Sequence, residues 1–149
     1  MTTRRKQIMD ALTSTMKINP DHYSTLTSPN RLRSFGYSLA GWLYMLRHQK
    51  NTRIMSAASL VVIGLALWLQ VSATGLAILV LAITIVWMGE FLNAAVEAVV
   101  NLVTPDFHPM AKVAKDVASA AVLLGVVASI IIGILVIGPP LLSRLASQP

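Results

Sequence analysis

The chain has 149 residues, of which 55% are hydrophobic and 12% charged, and it carries a formal net charge of +6. So few charges cannot form the charged shell of a soluble domain, which points to a membrane protein of one domain. Cysteine is absent, which excludes disulfides, thiolate catalysis and zinc–thiolate sites, and the three histidines, His22, His48 and His108, show no ligand spacing.

Residues 1–29 are polar and basic and end in turn formers, Asn19-Pro20-Asp21 and Ser28-Pro29-Asn30. They read as a disordered or loosely surface-bound tail. Because apolar segments follow directly, anionic lipid headgroups are the expected partner of this tail rather than nucleic acid. The first fifty residues contain no continuous apolar core, so no cleavable signal peptide is expected.

Residues 31–50 have the spacing of an amphipathic helix. Leu32, Phe35, Leu39, Trp42, Leu43 and Leu46 share one face, while Arg33, Tyr37, Tyr44 and Arg47 lie on the other side. Basic residues opposite a Trp/Leu face suit a helix lying in the membrane interface, a reading compatible with docking on a bundle.

Three spans follow. Residues 54–71 form a short uncharged one, and Ser72-Ala73-Thr74-Gly75 reads as a tight turn. Residues 75–103 form the second, long enough to cross a bilayer as a helix. After the loop Thr104-Pro105-Asp106-Phe107-His108-Pro109, the third runs over 111–137 and ends at Gly138-Pro139-Pro140, leaving 143–149 as a tail. It carries small residues every fourth position, Ala121, Gly125, Ser129 and Gly133, a spacing that lets helix backbones approach closely. A bundle of this size has little interior of its own, so an oligomer is expected.

Nine of the twelve Lys and Arg residues lie between Arg4 and Arg53, and Lys112 and Lys115 flank the second loop. The positive-inside rule then places the N-terminus, the amphipathic helix and residues 104–116 on the cytoplasmic face. The protein is expected as an integral membrane protein with this face toward the cytoplasm.

The second span holds polar residues at membrane depth: Glu90, Asn93, Glu97 and Asn101. At the helical repeat they fall within about 80° of one another and make a single stripe. A carboxylate at the bilayer centre costs on the order of 2.5–3.5 kcal/mol or more, so such a stripe marks a functional site unless it only joins helices. Glu97 lies toward the cytoplasmic boundary, where a hydrated cation can reach it, and Mg²⁺ takes one or two carboxylates together with phosphate oxygens. Glu90 lies about 10 Å deeper. A desolvated carboxylate is suited to act as a base, and Asn93 between the two can orient either. Lys115 and Asp116 open the third span on the same side, where a lysine can neutralise phosphate or serve as a snorkelling anchor. The residues alone stop at a cytoplasm-facing carboxylate site. There is no Walker A motif or kinase Gly-rich loop. A small cation or proton transporter subunit and a catalytically silent scaffold remain the other classes.

The segment from Glu90 to Leu124 carries Glu-x-x-Asn-x-x-x-Glu on one helix, then His-Pro-x-Ala-Lys-x-Ala-Lys-Asp, then a small-residue Ala-Val-Leu-Leu run. It resembles the prokaryotic integral-membrane diacylglycerol kinase family, which includes undecaprenol kinases. The likeness extends more weakly back to about Arg31, through Gly36-Tyr37-Ser38 and Asn51-x-Arg53, and leaves 1–29 outside. It implies an all-α membrane protein with an N-terminal surface helix and three transmembrane helices, assembled as a homotrimer, with residues 30–142 as a lipid kinase domain. It implies transfer of the γ-phosphoryl of MgATP to a membrane lipid, diacylglycerol or undecaprenol. Glu90 would be the base on the lipid hydroxyl and Asn93 would position it. Glu97 would hold Mg²⁺ beside the ATP phosphates. Tyr37, Asp106, Phe107, His108, Lys115 and Asp116 would contact the nucleotide. Where the family often places a metal-binding Glu before the first span, this chain has Gln49, a neutral amide at a second metal and ATP position. No acidic residue lies between Asp21 and Glu90 to replace it.

Overall fold

The computed structural model describes residues 31–104 and 106–146, which form four helices in sequence order. The tail 1–29 and residues 147–149 lie outside the described residues. Helix α1 spans Arg31–His48, α2 Lys50–Trp68, α3 Ala73–Val103 and α4 Pro109–Ala146, and no strand occurs among the described residues. Two compact units divide within α1: residues up to Trp42 form one, and Leu43 onward form the other. The second holds α2, α3 and α4, each long and apolar enough to cross a membrane. The all-α membrane architecture is as the sequence predicts.

The boundary between α1 and α2 is Gln49, whose extended backbone (φ −97°, ψ 118°) interrupts the helix. Its N–H still donates to the Met45 carbonyl at 2.9 Å. Its side chain makes no capping bond to α2.

The connection between α2 and α3 differs from expectation. The first span ends at Trp68 rather than residue 71, and the turn falls at 69–72. Gln70 adopts the left-handed conformation, φ 53°. Its N–H donates to the Leu67 carbonyl at 3.1 Å, and the Val71 N–H donates to the Ala66 carbonyl at 3.0 Å. This pair of bonds is the Schellman closure, which satisfies carbonyls that the helix end leaves free. Ala73-Thr74-Gly75 is then the first turn of α3 rather than part of a loop, because the Ser72 Oγ accepts the Gly75 N–H at 3.2 Å as an N-cap.

The third span also differs: α4 continues through Pro139 and Pro140 to Ala146, past the Gly-Pro-Pro where the sequence ends it. Two prolines remove two backbone donors and would by themselves break the helix. Tertiary contacts hold the last turns instead. Leu141 packs on the core, and the Arg144 guanidinium sits 4.4 Å from the centroid of the Trp68 ring. Its Nη1 donates to the Trp68 carbonyl at 2.9 Å, giving α2 a second partner at its C-terminus.

The core lies at this same end. Ala66, Leu69, Leu79 and Ile137 are buried together, with Val62, Leu65, Val71, Leu76, Ile132 and Val136 packed around them. Nearer the middle of the helices, α3 and α4 meet through small residues. A Cβ placed on Gly125 would sit 3.7 Å from the Val86 Cα, and one on Gly89 would sit 3.6 Å from the Val122 Cα. The Ser129 Oγ donates to the Ala82 carbonyl at 3.1 Å. The small-residue spacing on α4 is thus partly used within the chain, at Gly125 and Ser129. Ala121 is exposed, and a Cβ on Gly133 would meet no atom within 4 Å.

Candidate active site

Helix α3 displays the polar stripe because its residues recur at seven- and four-residue intervals on one face. Glu90 is 4% exposed, the one buried charged residue among those described. No hydrogen bond reaches its carboxylate from the other described residues. Burying a carboxylate without partners is unfavourable, which marks Glu90 as a candidate functional group. One turn on, the Asn93 Nδ2 donates to the Glu97 Oε1 at 3.3 Å. That bond fixes the amide, and the buried Asn93 Oδ1 is left with no partner. It is an unsatisfied acceptor on the same face as Glu90. Asn93 and Glu97 are half-buried, and Asn101, at the end of the stripe, is exposed.

Glu90 lines an open groove of about 490 Å³ between α2, α3 and α4. Asn51 lines it too. The remaining lining is almost wholly apolar, from Ile54 and Met55 on α2 through Val86 on α3 to Val126 and Ile130 on α4. Two serine hydroxyls of α2, those of Ser56 and Ser59, already make hydrogen bonds. The Ser56 Oγ donates to the Thr52 carbonyl at 2.7 Å, and the Ser59 Oγ accepts the Trp87 Nε1–H at 3.2 Å. Neither bonds to Glu90.

At the α4 side, the Lys115 Nζ donates to the Asn101 Oδ1 at 2.8 Å, which ties the start of α4 to the end of the stripe. Asp116 pairs with Lys112 one turn earlier on α4, with both side chains exposed. Asp106, Phe107 and His108 are exposed in the loop before α4. The His108 Nδ1 accepts the Met110 N–H at 3.2 Å and its carbonyl accepts the Lys112 N–H at 3.1 Å, so the imidazole closes the first turn of the helix. Gln49 is half-buried at the start of α2, where the Arg53 Nη2 donates to the Arg47 carbonyl at 3.2 Å. Tyr37 is exposed on α1 within the first unit.

Glu90, Asn93 and Glu97 therefore form one continuous group, with Lys115 joined to it through Asn101. Asp106, Phe107, Asp116 and Gln49 make no direct bond to that group. Three residues escape a reading from sequence. Asn51 lines the groove; Lys112 neutralises Asp116; and the Thr52 hydroxyl is fully buried with no partner. Asn51 stood in the Asn51-x-Arg53 resemblance, which was the available signal. Nothing in the spacing of Thr52 distinguishes it from an ordinary first-turn residue.

Among the described residues no group of three or more His, Asp or Glu side chains could hold a metal ion. The donor set fits a cation that arrives already bound to phosphate, since Mg²⁺ then needs only one or two protein carboxylates. Glu97 can be such a ligand, because Asn93 bonds only its Oε1.

Comparison with known proteins places these features in context. Residues 36–137 match the family described as prokaryotic diacylglycerol kinase. The chain is 43% identical over 117 residues to the diacylglycerol kinase of Synechocystis sp., covering 78% of this chain and 67% of the relative. It is 32% identical over 100 residues to the diacylglycerol kinase of Escherichia coli K12, covering 67% and 82%. It is 35% identical over 122 residues to the undecaprenol kinase of Bacillus subtilis, covering 81% and 97%.

Proposed function

Since the chain belongs to the prokaryotic diacylglycerol kinase family and is a lipid kinase, a phosphotransferase with an alcohol acceptor, we propose that it moves the γ-phosphoryl of MgATP to the hydroxyl of diacylglycerol or undecaprenol. The observation that carries this reading is Glu90: a buried carboxylate with no hydrogen bond from the other described residues, on the wall of an apolar groove. A lipid alcohol supplies both complements at once, a hydroxyl for the carboxylate and a hydrocarbon tail for the walls.

In the proposed reaction the lipid hydroxyl donates a hydrogen bond to Glu90. Asn93, held by its bond to Glu97, would donate its second Nδ2–H to the hydroxyl oxygen and keep it in line with the γ-phosphorus. As that oxygen bonds to phosphorus, the bond from phosphorus to the bridging oxygen breaks and ADP leaves. The hydroxyl proton passes to Glu90. Glu97, with the amide oxygen of Gln49 as a weaker candidate, holds the Mg²⁺ that accompanies ATP. When bound, that ion neutralises phosphate charge. Lys115 adds positive charge near the phosphates. Tyr37, Asp106, Phe107, His108 and Asp116 are the remaining nucleotide contacts in this reading. Positioning and charge neutralisation account for most of phosphoryl transfer, which suits a site with so few reactive groups.

Residues 30–142 constitute the kinase domain, α1 lies on the cytoplasmic membrane surface, the basic end of the bundle faces the cytoplasm of a bacterial inner membrane, and the enzyme is a homotrimer. The match over 36–137 and the Lys/Arg distribution support these assignments. The test is incubation of purified protein with labelled MgATP and each lipid alcohol. Label should enter one lipid at least, and Glu90→Gln should lower kcat by roughly 10²–10⁴-fold while MgATP still binds. Label in neither lipid refutes the reading, and near-normal turnover in the variant removes Glu90 from the base role.

A further inference from the structure

Apart from the Trp87 indole, the polar side chains lining the groove between α2, α3 and α4 are those of Asn51, Ser59, Glu90 and Ser129. Two of them are engaged. The Ser59 Oγ accepts the Trp87 Nε1–H, and the Ser129 Oγ donates to the Ala82 carbonyl. Neither the exposed Asn51 amide nor the buried Glu90 carboxylate bonds to another described residue. The groove therefore offers one free amide donor and one free carboxylate acceptor on otherwise apolar walls.

The bond between Ser59 and Trp87 fixes the level of α2 against α3, which run antiparallel across the turn at 69–72. Asn51 lies eight residues before Ser59, and Glu90 lies three residues beyond Trp87, in the same direction along the bundle. At about 1.5 Å per residue, Asn51 stands about 7.5 Å past Glu90. It stands toward the end that carries Lys50, Arg53, Lys112 and Lys115, the end that suits a polyphosphate. No single atom bonds both groups across that distance. A phosphoryl group in transfer does reach both. A hydroxyl on Glu90 puts its oxygen about 2.7 Å from the carboxylate, and an attacking oxygen stands about 3–3.5 Å from phosphorus. A donor to a phosphoryl oxygen adds about 2.9 Å. Bent, this chain of contacts covers the separation.

We propose that Asn51 is a further catalytic residue, whose side-chain N–H donates to an oxygen of the γ-phosphoryl group as that group passes to the hydroxyl at Glu90. This rests on the lipid-kinase reading and adds a residue to it. The bonds exchanged stay the same: the hydroxyl oxygen bonds to phosphorus, the bond from phosphorus to the bridging oxygen breaks with its electrons going to ADP, and the hydroxyl proton passes to Glu90. Asn51 gives up no proton. It holds the group in line and meets the charge spread over its oxygens. An ester carbonyl of the acceptor would lie on the other side of Glu90, where the walls are apolar.

The experiment measures kcat and KM in wild type, Asn51→Ala and Asn51→Asp, in mixed micelles with MgATP. The acceptors are dioleoylglycerol, its ester-free ether analogue and undecaprenol. Removing one donor to a transition state costs about 10²–10³ in kcat in a water-excluded site, and less for an exposed donor acting through a higher dielectric. The alanine variant should therefore lose roughly 10- to 100-fold in kcat on every acceptor the wild type uses, with the lipid KM little changed. The aspartate variant keeps the shape of the amide but has no donor and carries a repelling charge, so it should lose at least as much. If either variant fails to fold by circular dichroism, the other decides. An unchanged kcat in the alanine variant, or an aspartate variant as active as wild type, overturns the proposal and leaves the kinase reading intact. So does a loss confined to dioleoylglycerol or to the lipid KM, which would make Asn51 a contact of the acceptor. A wild-type enzyme that phosphorylates no lipid refutes the underlying reading and this role with it.

Discussion

Gly125 offers a sharp test of how α3 and α4 meet. A Cβ built there would stand 3.7 Å from the Val86 Cα and Cγ2 and 3.8 Å from the Ile85 Cγ2. These are ordinary van der Waals separations, so a methyl group fits without displacing either helix. Gly125→Ala should therefore stabilise the protein by about 0.5–1 kcal/mol, the usual difference between glycine and alanine inside a helix. One further carbon extends the side chain by about 1.5 Å, which carries it into the Val86 backbone. Gly125→Leu should instead cost about 1–3 kcal/mol through overpacking. The two variants are thus expected to fall on opposite sides of the wild type, about 1.5–4 kcal/mol apart by the same two ranges. Val86 is one turn from Glu90, so the leucine variant should also lose turnover while the alanine variant keeps it. Unfolding in mild detergent by titration with a denaturing detergent, followed by circular dichroism, measures the first effect. The phosphorylation assay measures the second. An alanine variant less stable than wild type by about 1 kcal/mol would mean a tighter contact than these separations allow, and a leucine variant equal to wild type would refute close contact between α3 and α4 at this point.

Three more outcomes are expected. Gln70→Gly should raise stability by about 1 kcal/mol in the same unfolding assay, because a side chain at φ 53° carries a left-handed penalty of about 1–2 kcal/mol that glycine lacks. Glu97→Gln should weaken Mg²⁺-dependent ATP binding more than lipid binding, and equilibrium nucleotide binding at several Mg²⁺ concentrations checks this; an unchanged affinity removes Glu97 from the metal role. Gln49→Glu should shift the Mg²⁺ titration of turnover to lower concentration, since Mg²⁺ prefers an anionic oxygen to a neutral amide. A shift in the other direction would make Gln49 a phosphate ligand in its own right.

The three apolar helices and the polar stripe of α3 were legible because both are periodic. Hydropathy marks a span whatever its neighbours are, and Glu90, Asn93 and Glu97 share a face by helical geometry alone. The ends were less legible because tertiary contacts decide them. Nothing local marks Gln70 as a left-handed residue; two carbonyls of α2 needing donors put it there. Pro139 and Pro140 signal a stop, yet Arg144 and Leu141 find partners on α2 and in the core that hold the helix beyond it. Within the site, the sequence put Lys115 and Asp116 in the first turns of α4. It could not show that Lys115 reaches Asn101 or that Lys112 occupies Asp116, since these depend on the rotation of α4 against α3. Asn51 was visible as a residue but not as a wall of the groove, which three helices line together.

The bond between Arg144 and the Trp68 carbonyl joins positions 76 residues apart. During synthesis the ribosome delivers α2 long before it delivers Arg144. The first span must therefore enter the bilayer with its end incompletely partnered, held by the Schellman turn alone. Only when the last ten residues appear does the chain gain the cation that sits over Trp68. Contacts of such separation form late because the intervening loop must close first. Assembly of the bundle is in this sense completed from its final segment backward. A chain truncated just before Arg144 would hold every residue assigned to catalysis and still lack the clasp that secures its first span.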